Sequence, residues 1–306
     1  MGASNASTGN ARVAVLLAAY NGTQWLEEQV DSILNQQGVE VTLFVSVDVS
    51  SDGTEQWFED LSRRDARVRV LPLGLKFGGA AKNFFRLIRD VDFSSFDYVS
   101  FSDQDDIWIA DKLVSAHQKL SMSDCLAYSC NVTAFWADGR QALLDKSQKQ
   151  RKYDFVFEAA GPGCGYVFSV PHALRFKQFL QENWVQVNEV SLHDWLVYAW
   201  YRANNFAWFI DPSSKILYRQ HSHNQVGANL GFKPLLGRLA LMRSGWYRNE
   251  ISKISGLLSA HLPRLPAVLI KRGKVPLSFL IKNLHSTRRR FRDRMFLAIV
   301  IVLGIY

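Results

Sequence analysis

Three carboxylates fall within four residues at Asp103-Gln104-Asp105-Asp106. Like charges this close raise one another's pKa unless a cation compensates them. A divalent ion with oxygen ligands, Mg2+ or Mn2+, is the simplest compensation, held by one or two carboxylates together with substrate phosphate oxygens. The alternative is a solvated acidic turn capping a helix that begins near Ala110. The hydrophobic strand before the run and Ile107-Trp108 after it favour a walled site.

Other candidates stand apart in the chain. Tyr20-Asn21-Gly22 and Asp48 each follow a short apolar run, and Asp194 lies near the start of a helical stretch. A carboxylate there is read either as a reactive group or as a charge stabilised by the helix dipole. His221 and His223 sit in loop-like sequence. Cys164, within Gly161-Pro162-Gly163-Cys164-Gly165, has no neighbour that would generate a thiolate, so it reads as packing.

These residues must be positioned by regular elements. Arg12 to Ala19 reads as a buried strand, and Thr23 as the cap of the helix carrying Trp25, Val30 and Ile33. Val41 to Val47 is a second strand, and Thr54 opens a helix to about Arg64. Val68 to Leu71 is a third strand, Ala80 to Arg89 a helix, and Tyr98 to Phe101 a fourth strand. This alternation predicts an α/β fold, with a parallel or mixed sheet flanked by helices and ligands at the carboxyl ends of the strands. Farther on, Leu126 to Phe135 and Tyr166 to Val170 read as strands, Leu192 to Arg202 as a helix, and Ala207 to Ile210 and Lys215 to Tyr218 as two short strands.

Residues 12–230 resemble the glycosyltransferase family 2 enzymes, and within them the bacterial rhamnosyltransferase-like branch. The resemblance rests on Ala19-Tyr20-Asn21-Gly22, Asp48-Val49-Ser50-Ser51-Asp52-Gly53-Thr54, Ser102-Asp103-Gln104-Asp105-Asp106-Ile107-Trp108, His193-Asp194-Trp195, and Tyr218-Arg219-Gln220-His221 with Asn224 and Gly227. It implies a GT-A fold, a nucleotide-sugar donor and inversion at the anomeric carbon. Ala19, Tyr20, Asn21 and Asp48 would line the nucleotide. Asp103, Gln104, Asp106 and Trp108 would complete the donor pocket, Asp105 and His221 would bind the metal, and Asp194 would be the catalytic base. Arg219 is a diphosphate contact in this reading. The chain departs from the family in Val49, where Gly is usual, and in Phe77, where Asn is common.

The mechanism implied is a single displacement. A metal neutralises the diphosphate leaving group, and a carboxylate receives the acceptor hydroxyl's proton. The expected donor is dTDP-L-rhamnose and the acceptor a surface glycan such as lipopolysaccharide or O-antigen, free or lipid-linked. A UDP-hexose donor and a non-catalytic nucleotide-sugar-binding protein are the rival readings.

Composition bounds the rest. With 48% hydrophobic and 21% charged residues in 306, the chain folds, apart from a small polar start over residues 1–10. Three cysteines without a CxxC pair exclude a disulfide framework and a zinc knuckle and fit a cytoplasmic setting. The start does not read as a signal peptide. The net charge of +8 is uneven: residues 1–230 carry 21 Lys+Arg and 26 Asp+Glu, and residues 231–306 carry 15 and 2. The catalytic domain is therefore expected over 11–230 and a basic, helical tail over 231–306. Arg288-Arg289-Arg290 and Arg292, ahead of the apolar Phe296 to Tyr306, suggest an anchor on the anionic inner face of the cell membrane. Packing onto the catalytic domain, or pairing in a homo-oligomer, is the other use of such a tail. No nucleic-acid motif accompanies the charge.

Overall fold

The computed structural model describes residues 10–221, 232–259 and 275–304. The expectations for residues 1–9, His223, Asn224, Gly227, the boundary at 230/231 and Tyr306 lie outside the described residues.

The first half alternates as the pattern requires: β1 (Ala11–Ala19), α1 (Thr23–Leu34), β2 (Val39–Val47), α2 (Thr54–Arg64), β3 (Val68–Val70), α3 (Ala80–Asp90) and β4 (Tyr98–Ser102). Then follow β5 (Ile107–Trp108), α4 (Lys112–Ser121), β6 (Ala127–Trp136), β7 (Gln141–Leu144), α5 (Asp154–Phe157), β8 (Val167–Ser169), α6 (Val170–Glu182), α7 (Trp184–Val187), α8 (His193–Ala203) and β9 (Trp208–Gln220). One sheet runs in the order β3-β2-β1-β4-β8-β6-β9-β5, with β7 added beside β6. Its first four strands are parallel, whereas β8 lies antiparallel to β4 and β6, so the sheet is mixed. From β1 the chain first winds outward to β2 and β3, then returns to place β4 on the other side of β1. That reversal opens a crevice at the carboxyl ends of β1 and β4.

β1 shows why the sheet is enclosed on both faces. Ala14, Leu16 and Ala18 enter one hydrophobic core, and Val13, Val15, Leu17 and Ala19 enter the other. A strand covered on both sides needs this near-continuous apolar run.

Local details depart from expectation. Thr23 is the first residue of α1, not its cap; Gly22 holds the cap position. The carboxylate of Asp52 instead accepts from the Thr23 backbone N–H at 3.0 Å and its hydroxyl at 2.8 Å, capping α1 from a neighbouring loop. The two strands expected over 207–218 are the single β9, which absorbs Asp211 to Ser213 through register shifts against β6. Val170 opens α6, with Pro171 in its first turn, so the strand before it is shorter than expected.

The tail forms α9 (Phe232–Arg243), α10 (Trp246–Leu258), α11 (Leu277–Thr287) and α12 (Phe291–Val302). Ile251, Ile254, Leu280, Leu297 and Val300 join the same core as α3, α6 and α8. The arginines expected to face a lipid surface are corrected here. Arg289 is 3% exposed, paired with Asp154 at 3.4 Å and Glu158 at 3.7 Å, and donates to the carbonyl of Ala159 at 2.7 Å. Arg288 bonds to the Tyr247 hydroxyl and lies 4.0 Å from Glu158. Acids buried in the sheet domain draw both inward; Arg292 stays outside. Among the described residues no helix is long and apolar enough to cross a membrane.

Candidate active site

The acidic run follows β4 directly, and β1 ends beside it in parallel register, with Leu17 opposite Ser102. Gln104 joins the two ends. Its amide Nε2 donates to the Tyr20 carbonyl at 2.8 Å, and its Oε1 accepts from the Tyr20 N–H at 2.6 Å. The carboxamide thereby acts as a surrogate strand. A Cβ at position 22 would lie 2.5 Å from Gln104 Oε1, so this clasp requires Gly22. Asn21, at φ 46°, receives the Ser51 N–H on its Oδ1 at 2.8 Å. Tyr20 itself is 56% exposed, an aromatic ring open at the crevice.

Asp48 directly follows β2 and is largely buried. Its two carboxylate oxygens accept from the backbone N–H groups of Phe77 at 2.9 Å and Gly78 at 2.8 Å. Asp48 thus fixes the loop before α3, and the Phe77 backbone serves although its side chain is not the usual amide.

The three acids of the run sit at different depths. Asp105 points toward β9, where its Oδ2 lies 2.7 Å from His221 Nε2. The His221 ring stacks on Trp25 of α1, with centroids 4.1 Å apart. Arg219 donates from Nε to the Asp105 carbonyl at 2.8 Å, from its backbone N–H to Asp106 at 3.2 Å, and pairs with Glu28. Asp103 is half-buried, and burial, then Asp105 and Asp194, push its pKa up to about 7. Asp106 is fully enclosed, and burial, then Asp105 and Asp103, raise its pKa.

Beneath them lies a layer with no sequence signal. The buried Cys164 thiol lies within 4.8 Å of the Asp103 and Asp106 carboxylates, and its pKa is driven upward by burial and then by Asp106 and Asp103, so it remains protonated. Lys112 is also buried. Its Nζ donates to Ser100 Oγ at 3.0 Å and sits 3.1 Å from the Trp108 ring centroid, and burial pushes its pKa down to about 7. Asp106 and Trp108, expected in the donor pocket wall, are both buried, with Trp108 only 3% exposed.

The donor set suits a hard divalent cation. Asp103, Asp106 and Cys164 each offer a ligand atom, all within 4.8 Å of one another. Asp106 Oδ2 is buried without a hydrogen-bond partner, and raised carboxylate pKa values mark a shortage of positive charge. Carboxylate oxygens and imidazole match Mg2+ or Mn2+ better than a protonated thiol does.

Asp194 stands across the crevice in the first turn of α8. Its Oδ1 accepts from the Trp195 N–H at 2.8 Å. Burial raises its pKa to about 6, against the lowering effects of that N–H and of Lys146. The short turn Gly163–Gly165 packs against it: a Cβ on Gly163 would lie 3.3 Å from Asp194 Cβ and 2.6 Å from His193 Nε2. His193, held neutral by burial with its pKa down to about 3, stacks on Phe84 at 3.9 Å. The wedge of His193 between Phe84 and Gly163 sets where Asp194 stands.

Comparison with known proteins agrees with this geometry. Residues 14–178 match the family model described as Glycosyl transferase family 2. The dTDP-rhamnosyl transferase RfbG of Shigella flexneri is 40% identical over 291 residues, covering 95% of this chain and 100% of that protein. The Putative teichuronic acid biosynthesis glycosyltransferase TuaG of Bacillus subtilis is 31% identical over 155 residues, covering 50% of this chain and 59% of that protein. Among solved structures, S. aureus TarS 1-349 in complex with UDP-GlcNAc superposes with a TM-score of 0.52 at 13% identity, covering 90% of this chain and 79% of that one. The mannosyltransferase PcManGT from Pyrobaculum calidifontis, in complex with GDP-Man and Mn2+, gives 0.51 at 15% identity, covering 98% and 82%. The GT-A fold, the acidic run at the sheet reversal and the near full-length similarity make this chain a glycosyltransferase of family 2.

Proposed function

We propose that the protein transfers L-rhamnose from dTDP-L-rhamnose, with inversion, to a hydroxyl of a lipid-linked bacterial surface glycan. The observation that carries the reaction is the pairing of Asp194, a carboxylate with a pKa near 6, with an acid-rich crevice at the sheet reversal. The donor assignment rests on the full-length similarity to a dTDP-rhamnosyl transferase.

In this reading the exposed Tyr20 ring, with Ala19, Asn21 and Asp48, receives the nucleotide. Gln104 holds Tyr20 in place, and Asp103 and Arg219 border the diphosphate. Asp105 and His221, 2.7 Å apart, would hold a divalent cation with Asp103 beside them. When bound, such an ion supplies charge neutralisation to the departing diphosphate. Asp194 accepts the acceptor hydroxyl's proton as that oxygen bonds to the anomeric carbon. The carbon–oxygen bond to dTDP breaks on the opposite face, which inverts the centre. A pKa near 6 leaves Asp194 ionised at neutral pH and more basic than an ordinary carboxylate.

An exposed apolar row on α12, together with three free cysteines, supports a place at the cytoplasmic face of the membrane.

The test is a panel of nucleotide sugars incubated with purified protein and Mg2+ or Mn2+. dTDP-L-rhamnose should be hydrolysed or bound preferentially; a response to a UDP-hexose alone would remove the rhamnosyl assignment. Asp194→Asn should retain donor binding and lose transfer, and transfer at the wild-type rate would remove the base assignment.

A further inference from the structure

Away from the crevice lies an open groove of about 590 Å3, ample for a small ligand. Six of its eight lining residues are Lys or Arg, and none is acidic: Lys149, Arg151, Arg289, Arg290, Arg292 and Arg294. Arg289 is paired with Asp154 and Glu158, and Arg292 lies 3.7 Å from Asp293, but Arg290 and Arg294 are fixed in place by carbonyls that leave their charge uncompensated. Arg290 donates to the Asp145 carbonyl, and Arg294 to the carbonyls of Arg288 and Arg289, both at 2.9 Å. Arg151 Nε is buried with no hydrogen-bond partner. Like charges held together in this way favour an anion of matching valence, and guanidinium groups match phosphate geometry.

The groove is linked to the reaction centre through Lys146. That ammonium lies within electrostatic range of Asp194 and also of Arg289 and Arg290. Its Cγ lies 3.5 Å from where a Cβ on Gly161 would stand, two residues before the glycine that packs on Asp194.

The other wall of the groove, Phe291, begins α12. From it an apolar row continues along the helix at Phe291 (69% exposed), Met295 (46%), Ile299 (53%) and Val302 (84%). The spacing of four, four and three residues places these side chains on one face. A cationic groove opening onto an apolar helical face complements a ligand with an anionic head and a hydrocarbon chain.

We infer that this groove binds the diphosphate of a lipid-linked acceptor, with the lipid chain lying along α12; this rests on the reading above that the acceptor is lipid-borne. The groove would hold the anchor end of the acceptor while its sugar end reaches Asp194.

The probe is farnesyl diphosphate, titrated calorimetrically into full-length protein saturated with dTDP and Mg2+ to occupy the donor site. Farnesol, inorganic pyrophosphate and phosphatidylcholine vesicles containing a quarter phosphatidylglycerol serve as the other arms. Farnesyl diphosphate should bind more tightly than farnesol or pyrophosphate. The double variant Lys149→Glu/Arg292→Glu, at two exposed positions, should weaken that binding about tenfold or more at an unchanged melting temperature. Equal binding to wild type and variant, or none to wild type, would overturn the inference. So would pyrophosphate binding as tightly as the prenyl compound, which would mark a soluble-anion site. Loss confined to the vesicle arm would make the groove a headgroup contact and also overturn it. A failed donor panel alongside normal farnesyl diphosphate binding would instead count against the donor reading alone.

Discussion

Asp194 makes a quantitative pH prediction at the scale of one residue. Its folded pKa, about 6, stands above the ordinary 3.8. The ionised form is needed to take a proton, so kcat should fall on the acid side with an apparent midpoint near 6, measured under saturating donor and acceptor. The same shift has a stability consequence of opposite sign. Ionisation of a group whose pKa is raised by folding costs stability, with nothing lost below about 3.8 and the full cost present above about 6. Asp194→Asn should therefore stabilise the protein at pH 8, by at most about 3 kcal/mol, and should have little effect at pH 4. Urea unfolding of both proteins at the two pH values would show it; equal gains at both would refute the buried-charge account. The acids were legible in the sequence because three carboxylates in four residues demand an explanation. Lys112 and Cys164 were not, since a lysine at a helix start and a cysteine between glycines are ordinary until folding buries them under Asp106.

At the scale of elements, local rules worked where each element carries its own signal. The bounds of α2 follow from Thr54 and the turn before it, and those of α3 from its apolar face. They failed at β9, where Asp211-Pro212-Ser213 interrupts the apolar pattern and reads as a break. Pairing with β6 carries the strand across that interruption, which no local pattern reveals. The stacking of His221 on Trp25 is equally invisible, because α1 and the end of β9 are nearly 200 residues apart in sequence. The contact between the Gly163–Gly165 turn and the start of α8 can be tested directly. Gly163→Ala would place a methyl 2.6 Å from His193 Nε2, forcing His193 and with it Asp194 to shift. Transfer should slow by about 100-fold, as displaced catalytic groups do, with donor affinity little changed. Wild-type kcat in this variant would show that the wedge does not position the base.

At the scale of the whole molecule, charge asymmetry suggested a basic tail that either anchors on a membrane or packs on the catalytic domain, and its helices complete the core of the catalytic half. Sequence could not show this because the pairing of Arg289 with Asp154 and Glu158 spans more than 130 residues. Arg289→Met should lower stability by about 3 kcal/mol by leaving buried carboxylates short of a cation. Urea midpoints at constant slope would measure it. Asp154→Asn combined with Arg289→Met should cost less than the sum of the single changes.

The position of Arg289 also bears on biosynthesis. Asp154 emerges from the ribosome with its partner Arg202 soon after it, but Arg289, its other partner, follows only after the whole sheet has been made. A nascent chain that has completed its whole sheet still carries an open seam along α5 and α8. Folding is thus expected to close only once Arg289 and α12 have been made. A ribosome stalled before Arg289 should hold a protease-sensitive, chaperone-bound polypeptide rather than an early-working enzyme.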